Sequence, residues 1–307
     1  MLNLRVGLIL LGLLCNAFAF QFAPNAVRYS SQLMMAGGRS PEERQLSKRQ
    51  MFLKVRDAFN EAAKAPGFFE TGDRPVEVEL YCKSNRDGKQ IGDCPFSQFV
   101  QLVLLKKGVE YVVKPTLPSK KPDWLINKHN GALPTIHHRT KDITISDSLK
   151  IAEYIEEQYP LSSLTRQGAL SYQEALEKIS NFFPTLSNYI KNKDDTKDPI
   201  LLAAVEKELD NIDEILRSTP GRYLCGIDIT IADLYITPQL FHALVAMDHF
   251  KKVDILNFNT DPIRPALEKF MLDMFNSKEF NNKKCYYNVD QVVYGWKVAR
   301  GESPAPV

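Results

Sequence analysis

The chain has 307 residues, of which 44% are apolar and 25% charged, and its net charge at neutral pH is +2. This length and composition are typical of a folded protein with about two domains, since a domain usually holds about 100 to 200 residues. The balanced charge lacks the basic region typical of nucleic-acid binding, so we expect no nucleic-acid partner. The cysteines follow neither metal-ligand nor disulfide-framework spacing, which favours a reducing compartment and predicts no metal site. They are Cys15, Cys82, Cys94, Cys225 and Cys285.

Residues 1–19 are predicted to be a signal peptide. Arg5 precedes an apolar stretch over residues 6–14, and the small residues Ala17 and Ala19 lie just before Phe20. The apolar stretch is too short to span a bilayer.

Residues 20–70 are predicted to be a plastid transit segment followed by an N-terminal extension. The segment begins with Phe20 and is rich in arginine, lysine and serine, and an amphipathic helix is expected over residues 41–65. A signal peptide followed by such a segment resembles the bipartite presequences of algae with secondary plastids. We therefore expect delivery to the plastid stroma, with secretion or another secretory-pathway compartment as the alternative.

The most informative motif is Asp93-Cys94-Pro95-Phe96-Ser97-Gln98, between a strand-like run and a helical pattern. Proline suits the first helical turn, so the motif predicts that Cys94 lies at or next to the N-cap of a helix. There the backbone N–H groups and the helix dipole favour a thiolate, which predicts a lowered pKa and a reactive cysteine. The alternative is a buried and inert cysteine that packs as a small hydrophobic residue.

A second cysteine is absent from this motif. Thioredoxin-like redox motifs carry a resolving cysteine three residues after the first, and here that position is Ser97. A centre with one thiol needs an external thiol to cleave the covalent intermediate that it forms. In cells the commonest such thiol is glutathione. The motif therefore predicts a glutathione-dependent monothiol centre.

Residues 74–160 are predicted to form an α/β domain. The pattern gives a strand, a helix, a second strand, a short helix, two strands of a hairpin and a final helix. These cover residues 76–81, 94–107, 110–114, a segment through 124, 133–137, 143–145 and 147–158. A parallel pair followed by an antiparallel hairpin is the thioredoxin fold. Pro134 stands where that fold places a cis-proline, and the helix start at Asp147 and Ser148 offers N–H groups that could hold a carboxylate.

The rest of the chain is predicted to be helical. A linker over residues 161–170 leads to an all-α domain over 171–300, in which Thr230 and Asp233 form a capping box. The clearest helices cover residues 174–191, with an interruption or kink at Pro184, then 200–217, 231–250 and 265–275. A thioredoxin-like domain followed by an all-α domain is the glutathione transferase architecture, with the cleft between them above Cys94.

Several motifs together resemble plant dehydroascorbate reductase of the glutathione transferase superfamily. They are residues 91–98, Lys121-Pro122-Asp123-Trp124, Gly131-Ala132-Leu133-Pro134, Asp147-Ser148, the capping box, residues 235–251 with His242, and Gly295-Trp296. The related chloride intracellular channel proteins share the cysteine motif and are the second resemblance. Asp93 and the Lys-Pro-x-Trp motif favour the reductase.

The resemblance implies roles for three residues around the cysteine. Cys94 would be the nucleophile, and Asp93 would contact the hydroxyl groups of the substrate. Lys83 would help to hold glutathione and dehydroascorbate and would favour the thiolate.

The resemblance also implies a glutathione site at the edge of the sheet. Lys121 would contact a carboxylate of glutathione, and the backbone of Leu133, before Pro134, would pair with its cysteinyl amide. Asp147 and Ser148 would hold its γ-glutamyl end.

The expected activity is the glutathione-dependent reduction of dehydroascorbate to ascorbate, with glutathione disulfide as the second product. Glutathione is a co-substrate, no cofactor is expected to be bound, and the resemblance implies a monomer. The first step could be addition of Cys94 to a carbonyl carbon or oxidation of Cys94 to a sulfenic acid. The alternatives are a glutathione-dependent thiol transferase and a channel-like protein, although no stretch after residue 20 is apolar enough to predict a spanning helix.

Overall fold

The structure is a computed structural model in which residues 76–255, 264–282, 285 and 287–303 are described. The predicted signal peptide, the transit segment and the helix expected over residues 41–65 lie outside these residues. The N-terminal part of the described chain alternates strands and helices in the predicted order. Its elements are β1 (Val78–Lys83), α1 (Pro95–Lys106), β2 (Tyr111–Thr116), a 3₁₀ turn (Pro118–Lys120), α2 (Asp123–His129), β3 (Thr135–His138), β4 (Ile143–Ser146) and α3 (Ser148–Gln158).

The four strands form one mixed sheet in the order β2-β1-β3-β4. Strands β1 and β2 are parallel, while β1–β3 and β3–β4 are antiparallel. Alternate residues of β1, including Val78, Leu80 and Cys82, are fully buried because one face of the strand packs against the core. The predicted parallel pair followed by a hairpin is confirmed.

This topology brings three chain segments to one end of the sheet. Strand β1 ends there at Lys83, and β3 begins there, because the antiparallel register pairs Tyr81 with Thr135. Strand β4 ends at the same place, because Thr135 pairs with Ser146. The loop that leaves β1, the segment before β3 and the start of α3 therefore share this end of the sheet.

The C-terminal part of the described chain is helical. Its elements are α4 (Tyr172–Ile179), α5 (Phe182–Lys191), a 3₁₀ turn (Asp195–Lys197), α6 (Asp198–Ser218), α7 (Ile231–Ala246), a π-helical turn (Met247–Lys251), α8 (Pro265–Phe275) and α9 (Val289–Ala299).

Two predicted helices differ from those observed. The helix predicted over residues 174–191, with an interruption or kink at Pro184, is two helices, α4 and α5, and the break lies before Phe182. Pro184 is in the first turn of α5, where a missing N–H is tolerated. The helix predicted over residues 231–250 is regular only to Ala246 and widens into the π-helical turn. The hydrophobic pattern continues through both breaks, so it does not mark them.

Helix α7 is the centre of the helical part. Every one of its residues except Tyr235 is buried, and it packs against α1 as well as α4, α5, α8 and α9. Its N-terminus carries the predicted capping box, in which the Asp233 carboxylate accepts hydrogen bonds from the Thr230 N–H and hydroxyl, each at 2.8 Å. Because Cys94 directly precedes α1, the packing of α7 on α1 connects the helical part to the cysteine.

Candidate active site

Cys94 lies where the sequence predicts it. It is the N-cap residue of α1, with extended backbone angles (φ −72°, ψ 112°), and Pro95 is the first helical residue. The Cys94 carbonyl accepts the first intrahelical hydrogen bond, from the Gln98 N–H at 3.1 Å. The side chain is half-buried, so the sulfur lies at the end of α1 with limited access to solvent.

The protonation of Cys94 differs from the sequence-based prediction. Burial raises the pKa of the Cys94 thiol, and the Asp93 carboxylate raises it further. The Ser97 hydroxyl and the backbone N–H groups of Ser97 and Phe96 act in the opposite direction and lower this pKa, because donors near the sulfur favour the thiolate. The prediction of a lowered pKa was wrong because it accounted for the helix end and not for burial, which depends on residues far along the chain.

Asp93 and Lys83 form an ion pair beside the cysteine. The Lys83 Nζ lies 2.6 Å from Asp93 Oδ1, and the Asp93 side chain is 15% exposed while that of Lys83 is 38% exposed. A backbone hydrogen bond from the Gly92 N–H to the Lys83 carbonyl, at 2.7 Å, closes the loop that joins them. A Cβ at residue 92 would lie 2.4 Å from the Ser84 carbonyl oxygen, so this closure needs glycine.

Helix α9 supports Asp93 from the other side. A Cβ added at Gly295 would lie 1.8 Å from Asp93 Oδ2 and 2.0 Å from Asp93 Cγ. The carboxylate therefore packs directly on the backbone of α9. The sequence gives no local signal of this contact, which joins residues about 200 positions apart.

Aromatic side chains form a cluster beside the cysteine motif. The Phe96 ring lies 5.3 Å from Phe183 and 6.1 Å from Tyr235, between ring centroids. Behind them, Trp296 lies 6.0 Å from Phe183 and 6.1 Å from His242. Phe96, Phe183 and Tyr235 are half-buried and His242 and Trp296 are buried, so the cluster has a partly accessible front and a closed back.

The residues expected to bind glutathione are grouped around the hairpin. The Leu133–Pro134 peptide bond is cis, as the sequence predicts. Lys121 extends along Gly131, since a Cβ at residue 131 would lie 3.2 Å from Lys121 Nζ. Lys121 therefore lies beside the segment that leads to Leu133.

Asp147 and Ser148 lie at the start of α3, as predicted, but their N–H groups are partly used. The Asp147 carboxylate accepts hydrogen bonds from the N–H groups of Leu149 (3.0 Å) and Lys150 (3.1 Å). Asp147 also has φ 78°, which a non-glycine residue seldom adopts and which is enriched at functional sites. Two of the N–H groups that were expected to hold a carboxylate are therefore already used by Asp147. The expectation now applies only to the N–H at the first position of α3.

The site residues predicted from the sequence fall into two groups at one end of the sheet. Cys94, Asp93 and Lys83 are in direct contact or adjacent, and Lys121, Leu133, Pro134, Asp147 and Ser148 surround the hairpin. Gly295 contacts Asp93 of the first group, and His242 lies behind it in the aromatic cluster. Motif reasoning gave neither of them a role.

Comparisons with known proteins identify the family of this chain. A family model described as the CLIC-like N-terminal domain matches residues 76–161. Glutathione S-transferase DHAR2 of Arabidopsis thaliana is 30% identical over 208 residues, which cover 67% of this chain and 90% of the relative. The chain belongs to the dehydroascorbate reductase (DHAR) family of glutathione S-transferases.

Two further matches concern a second DHAR relative and the fold. Glutathione S-transferase DHAR3 of A. thaliana, named chloroplastic, is 28% identical over 230 residues, or 74% of this chain and 81% of the relative. The crystal structure of Chlamydomonas reinhardtii dehydroascorbate reductase superimposes with a TM-score of 0.62 at 24% identity, covering 74% of this DHAR chain and all of that one. The predicted fold class, a thioredoxin-like domain followed by an all-α domain, is confirmed.

The channel-like alternative can be compared with the helices of this DHAR chain. Among the described residues, none of the helices combines the length and the apolar character needed to cross a membrane.

Proposed function

We propose that this protein reduces dehydroascorbate to ascorbate with two molecules of glutathione, through Cys94 as a single nucleophile. The observation that carries the proposal is the half-buried Cys94 at the start of α1, adjacent to the Lys83–Asp93 ion pair and with Ser97 in place of a resolving cysteine. The DHAR names of the relatives support the substrate.

In the first step the Cys94 sulfur, as thiolate, bonds to an electrophilic carbonyl carbon of dehydroascorbate, and the carbonyl oxygen takes up a proton. The thiolate of one glutathione then attacks the Cys94 sulfur. The sulfur–carbon bond breaks, its electron pair remains on the organic product, and ascorbate leaves. A second glutathione attacks the mixed disulfide, which releases glutathione disulfide and restores Cys94.

The contacts around Cys94 suit these steps. The Ser97 hydroxyl and the N–H groups of Ser97 and Phe96 would stabilise the sulfur each time it becomes a thiolate. The Lys83–Asp93 pair would present both a cation and an acceptor to the oxygens of dehydroascorbate. Lys121, the Leu133 backbone before Pro134, Asp147 and Ser148 would hold glutathione, with no bound cofactor and in a monomeric protein.

The test is ascorbate formation from dehydroascorbate and glutathione, with the uncatalysed rate subtracted. Cys94→Ser is expected to lower turnover to the background while leaving the fold intact, since serine is isosteric with cysteine. Cys225→Ser is the matched control, because Cys225 is buried in the helical part and accepts a hydrogen bond from Thr230. Most of the activity remaining in Cys94→Ser would refute the proposal.

A third outcome would indicate the thiol transferase. If the unaltered protein forms no ascorbate but glutathione still forms a mixed disulfide at Cys94, the result would favour a thiol transferase or a non-enzymatic relative.

We also propose that the protein acts in a plastid. The support is the composition of residues 1–70 and the chloroplastic names of two relatives. Residues 1–75 fused to a fluorescent protein should direct it to the plastid, and secretion of the fusion would contradict this.

A further inference from the structure

Two hydroxyl groups connect the segment before β3 with the end of β4. The Thr135 hydroxyl oxygen lies 2.7 Å from the Ala132 carbonyl oxygen and 2.5 Å from Ser146 Oγ. Thr135 is fully buried, whereas Ser146 is half-buried. These contacts therefore lie inside the hairpin, where water competes little with them.

The chemistry of the three groups fixes the direction of both hydrogen bonds. A carbonyl oxygen can only accept, so the single hydroxyl hydrogen of Thr135 is donated to Ala132. Ser146 must then donate its own hydrogen to Thr135 Oγ1. The two bonds form one hydroxyl chain from Ser146 through Thr135 to Ala132, and removal of the Thr135 hydroxyl eliminates both.

This hydroxyl chain lies where the backbone ladder of the hairpin ends. Thr135 and Ser146 form the last pair in the register of β3 and β4 at this end of the sheet. Leu133 and Asp147 lie outside that register. The hydroxyl chain connects their neighbourhoods, because it runs from the side chain that precedes Asp147 to the carbonyl that precedes Leu133.

A pair of hydroxyl residues across two strands can also be purely structural. Such pairs stabilise antiparallel sheets and need no role in binding. A purely structural pair, however, would bond only across the ladder. Here Thr135 also donates to Ala132, which precedes the strand, so the chain reaches into the segment that leads to Leu133.

We propose that Thr135 and Ser146 are positioning residues of the glutathione site, and that their hydroxyl chain sets the spacing between the Leu133 backbone and the start of α3. The inference rests on the proposed function, since it takes this end of the sheet as the glutathione site. The Leu133 backbone would pair with the cysteinyl part of glutathione, and Asp147 and Ser148 would hold its γ-glutamyl end. Because one ligand spans both places, an error in their spacing weakens its binding.

The test uses substitutions that remove or keep each hydroxyl. Thr135→Val removes the Thr135 hydroxyl at nearly constant volume, Thr135→Ser keeps it, and Ser146→Ala removes the other hydroxyl. Thr237→Val is the matched control, because Thr237 is also a fully buried threonine and donates to the Asp233 carbonyl within α7, at 2.6 Å. The probe is S-methylglutathione, whose blocked sulfur cannot react with Cys94, and NMR titration measures its dissociation constant. The other readouts are kcat, the KM for glutathione and the rate of Cys94 alkylation by iodoacetamide.

Thr135→Val is expected to raise the dissociation constant of S-methylglutathione and the KM for glutathione about three- to tenfold, as for the loss of one buried hydrogen bond. The kcat at saturating glutathione and the alkylation rate should be nearly unchanged, because neither hydroxyl belongs to the loop that carries Cys94. Ser146→Ala should weaken binding by a similar factor. The double variant Thr135→Val/Ser146→Ala should bind no more weakly than Thr135→Val alone, because the chain is already broken. Thr135→Ser and Thr237→Val should bind S-methylglutathione like the unaltered protein.

Unchanged affinity for S-methylglutathione in Thr135→Val and Ser146→Ala, with only lower thermal stability, would overturn the inference and leave a structural pair. Additive losses of affinity in the double variant would also overturn it, because the two hydroxyls would then act separately. If Thr135→Val does not fold, Ser146→Ala decides, since it removes only the half-buried end of the chain. An unaltered protein that does not bind S-methylglutathione would likewise overturn it.

The failure of the proposed function looks different. The unaltered protein would then form no ascorbate, while the change in S-methylglutathione affinity caused by Thr135→Val would still be seen.

Discussion

Asp93 lies between the Lys83 ammonium group and the Cys94 thiol. It attracts the first and disfavours ionisation of the second. It forms a 2.6 Å ion pair with Lys83. Its negative charge also raises the pKa of Cys94, because it disfavours a second negative charge on the adjacent residue. A carboxylate in this position therefore hinders ionisation of the nucleophile, and its presence is better explained by contact with the substrate.

Asp93→Asn should separate these two effects. The substitution removes the charge that opposes the thiolate and releases Lys83 to stabilise it, so the pKa of Cys94 should fall and alkylation near pH 7 should become faster. Turnover of dehydroascorbate should fall about tenfold or more, as expected for the loss of a charged hydrogen bond to the substrate. The measurements are the iodoacetamide rate against pH and kcat/KM for dehydroascorbate.

Asp87→Asn is the matched control, since Asp87 lies exposed in the loop between β1 and α1 and accepts a hydrogen bond from the Lys89 N–H. It should alter neither quantity. If Asp93→Asn slows alkylation and turnover together, Asp93 supports the position of Cys94 and has no separate role toward the substrate.

The residues that could be predicted from the sequence are those fixed by local chemistry. Cys94 as the N-cap and Pro95 as the first helical residue follow from neighbouring residues alone. The raised pKa of Cys94 could not be predicted, because burial by distant helices outweighs the local donors. The Lys83–Asp93 contact was also missed, since it depends on the closure of the loop at Gly92.

At the scale of secondary structure, α9 determines how much space Asp93 has. Gly295 lies in this helix, and its missing side chain admits the Asp93 carboxylate. Alanine normally stabilises a helix by about 1 kcal/mol relative to glycine. At this position we expect the opposite, because the added methyl group would overlap the carboxylate.

Gly295→Ala should lower the free energy of unfolding by about 1 to 2 kcal/mol, which is a typical cost of overpacking less the gain in helix propensity. It should also lower kcat/KM about tenfold, since Asp93 must move. Chemical denaturation and steady-state kinetics measure the two effects. The double variant Asp93→Gly/Gly295→Ala removes the overlap, so adding Gly295→Ala to Asp93→Gly should no longer destabilise. Additive losses of stability would exclude this overlap as the cause.

Whether a segment is a helix or a strand could be predicted from the sequence more reliably than the residues at which it begins and ends. The observed α8, Pro265–Phe275, has the predicted bounds because proline begins it and the apolar pattern stops at its end. The sequence predicted an interruption at Pro184, but the break lies between Ile179 and Phe182, and the pattern did not give that position. The widening after Ala246 could not be predicted from the pattern either. Both depend on how α5 and α7 pack against neighbouring helices.

At the scale of the whole molecule, two buried titratable groups on α7 make opposite contributions to stability. Burial raises the pKa of Asp233 from 3.8 to about 6, so the folded protein binds this proton more tightly and gains stability as the pH falls from 6 to 4. Burial lowers the pKa of His242 from 6.5 to about 4, so the unfolded chain binds that proton more tightly. The folded protein therefore loses stability from this group over nearly the same range.

Removing either group should reveal the contribution of the other. Relative to the unaltered protein, His242→Gln should gain about 2 to 3 kcal/mol between about pH 7 and about pH 4.5, and Asp233→Asn should lose about 2 kcal/mol. Urea denaturation at the two pH values gives both differences. An identical pH dependence in all three proteins would contradict the assignment of these buried groups. His242 carries no local sequence signal for this behaviour, because nearly every residue of α7 is buried and the helix has no polar face.

The chain contains two tryptophans, one in each part of the described structure. Trp124 lies in α2 with its ring 5.1 Å from Tyr81, whereas Trp296 lies in α9 between Phe183 and His242. Each part thus has its own intrinsic fluorophore. Replacing one tryptophan with phenylalanine leaves emission that reports on the other part alone, so optical denaturation curves can show whether the two parts unfold together. Because Trp296 lies behind the aromatic cluster next to Asp93 and Cys94, its emission can also report ligand binding at the candidate active site without an added dye.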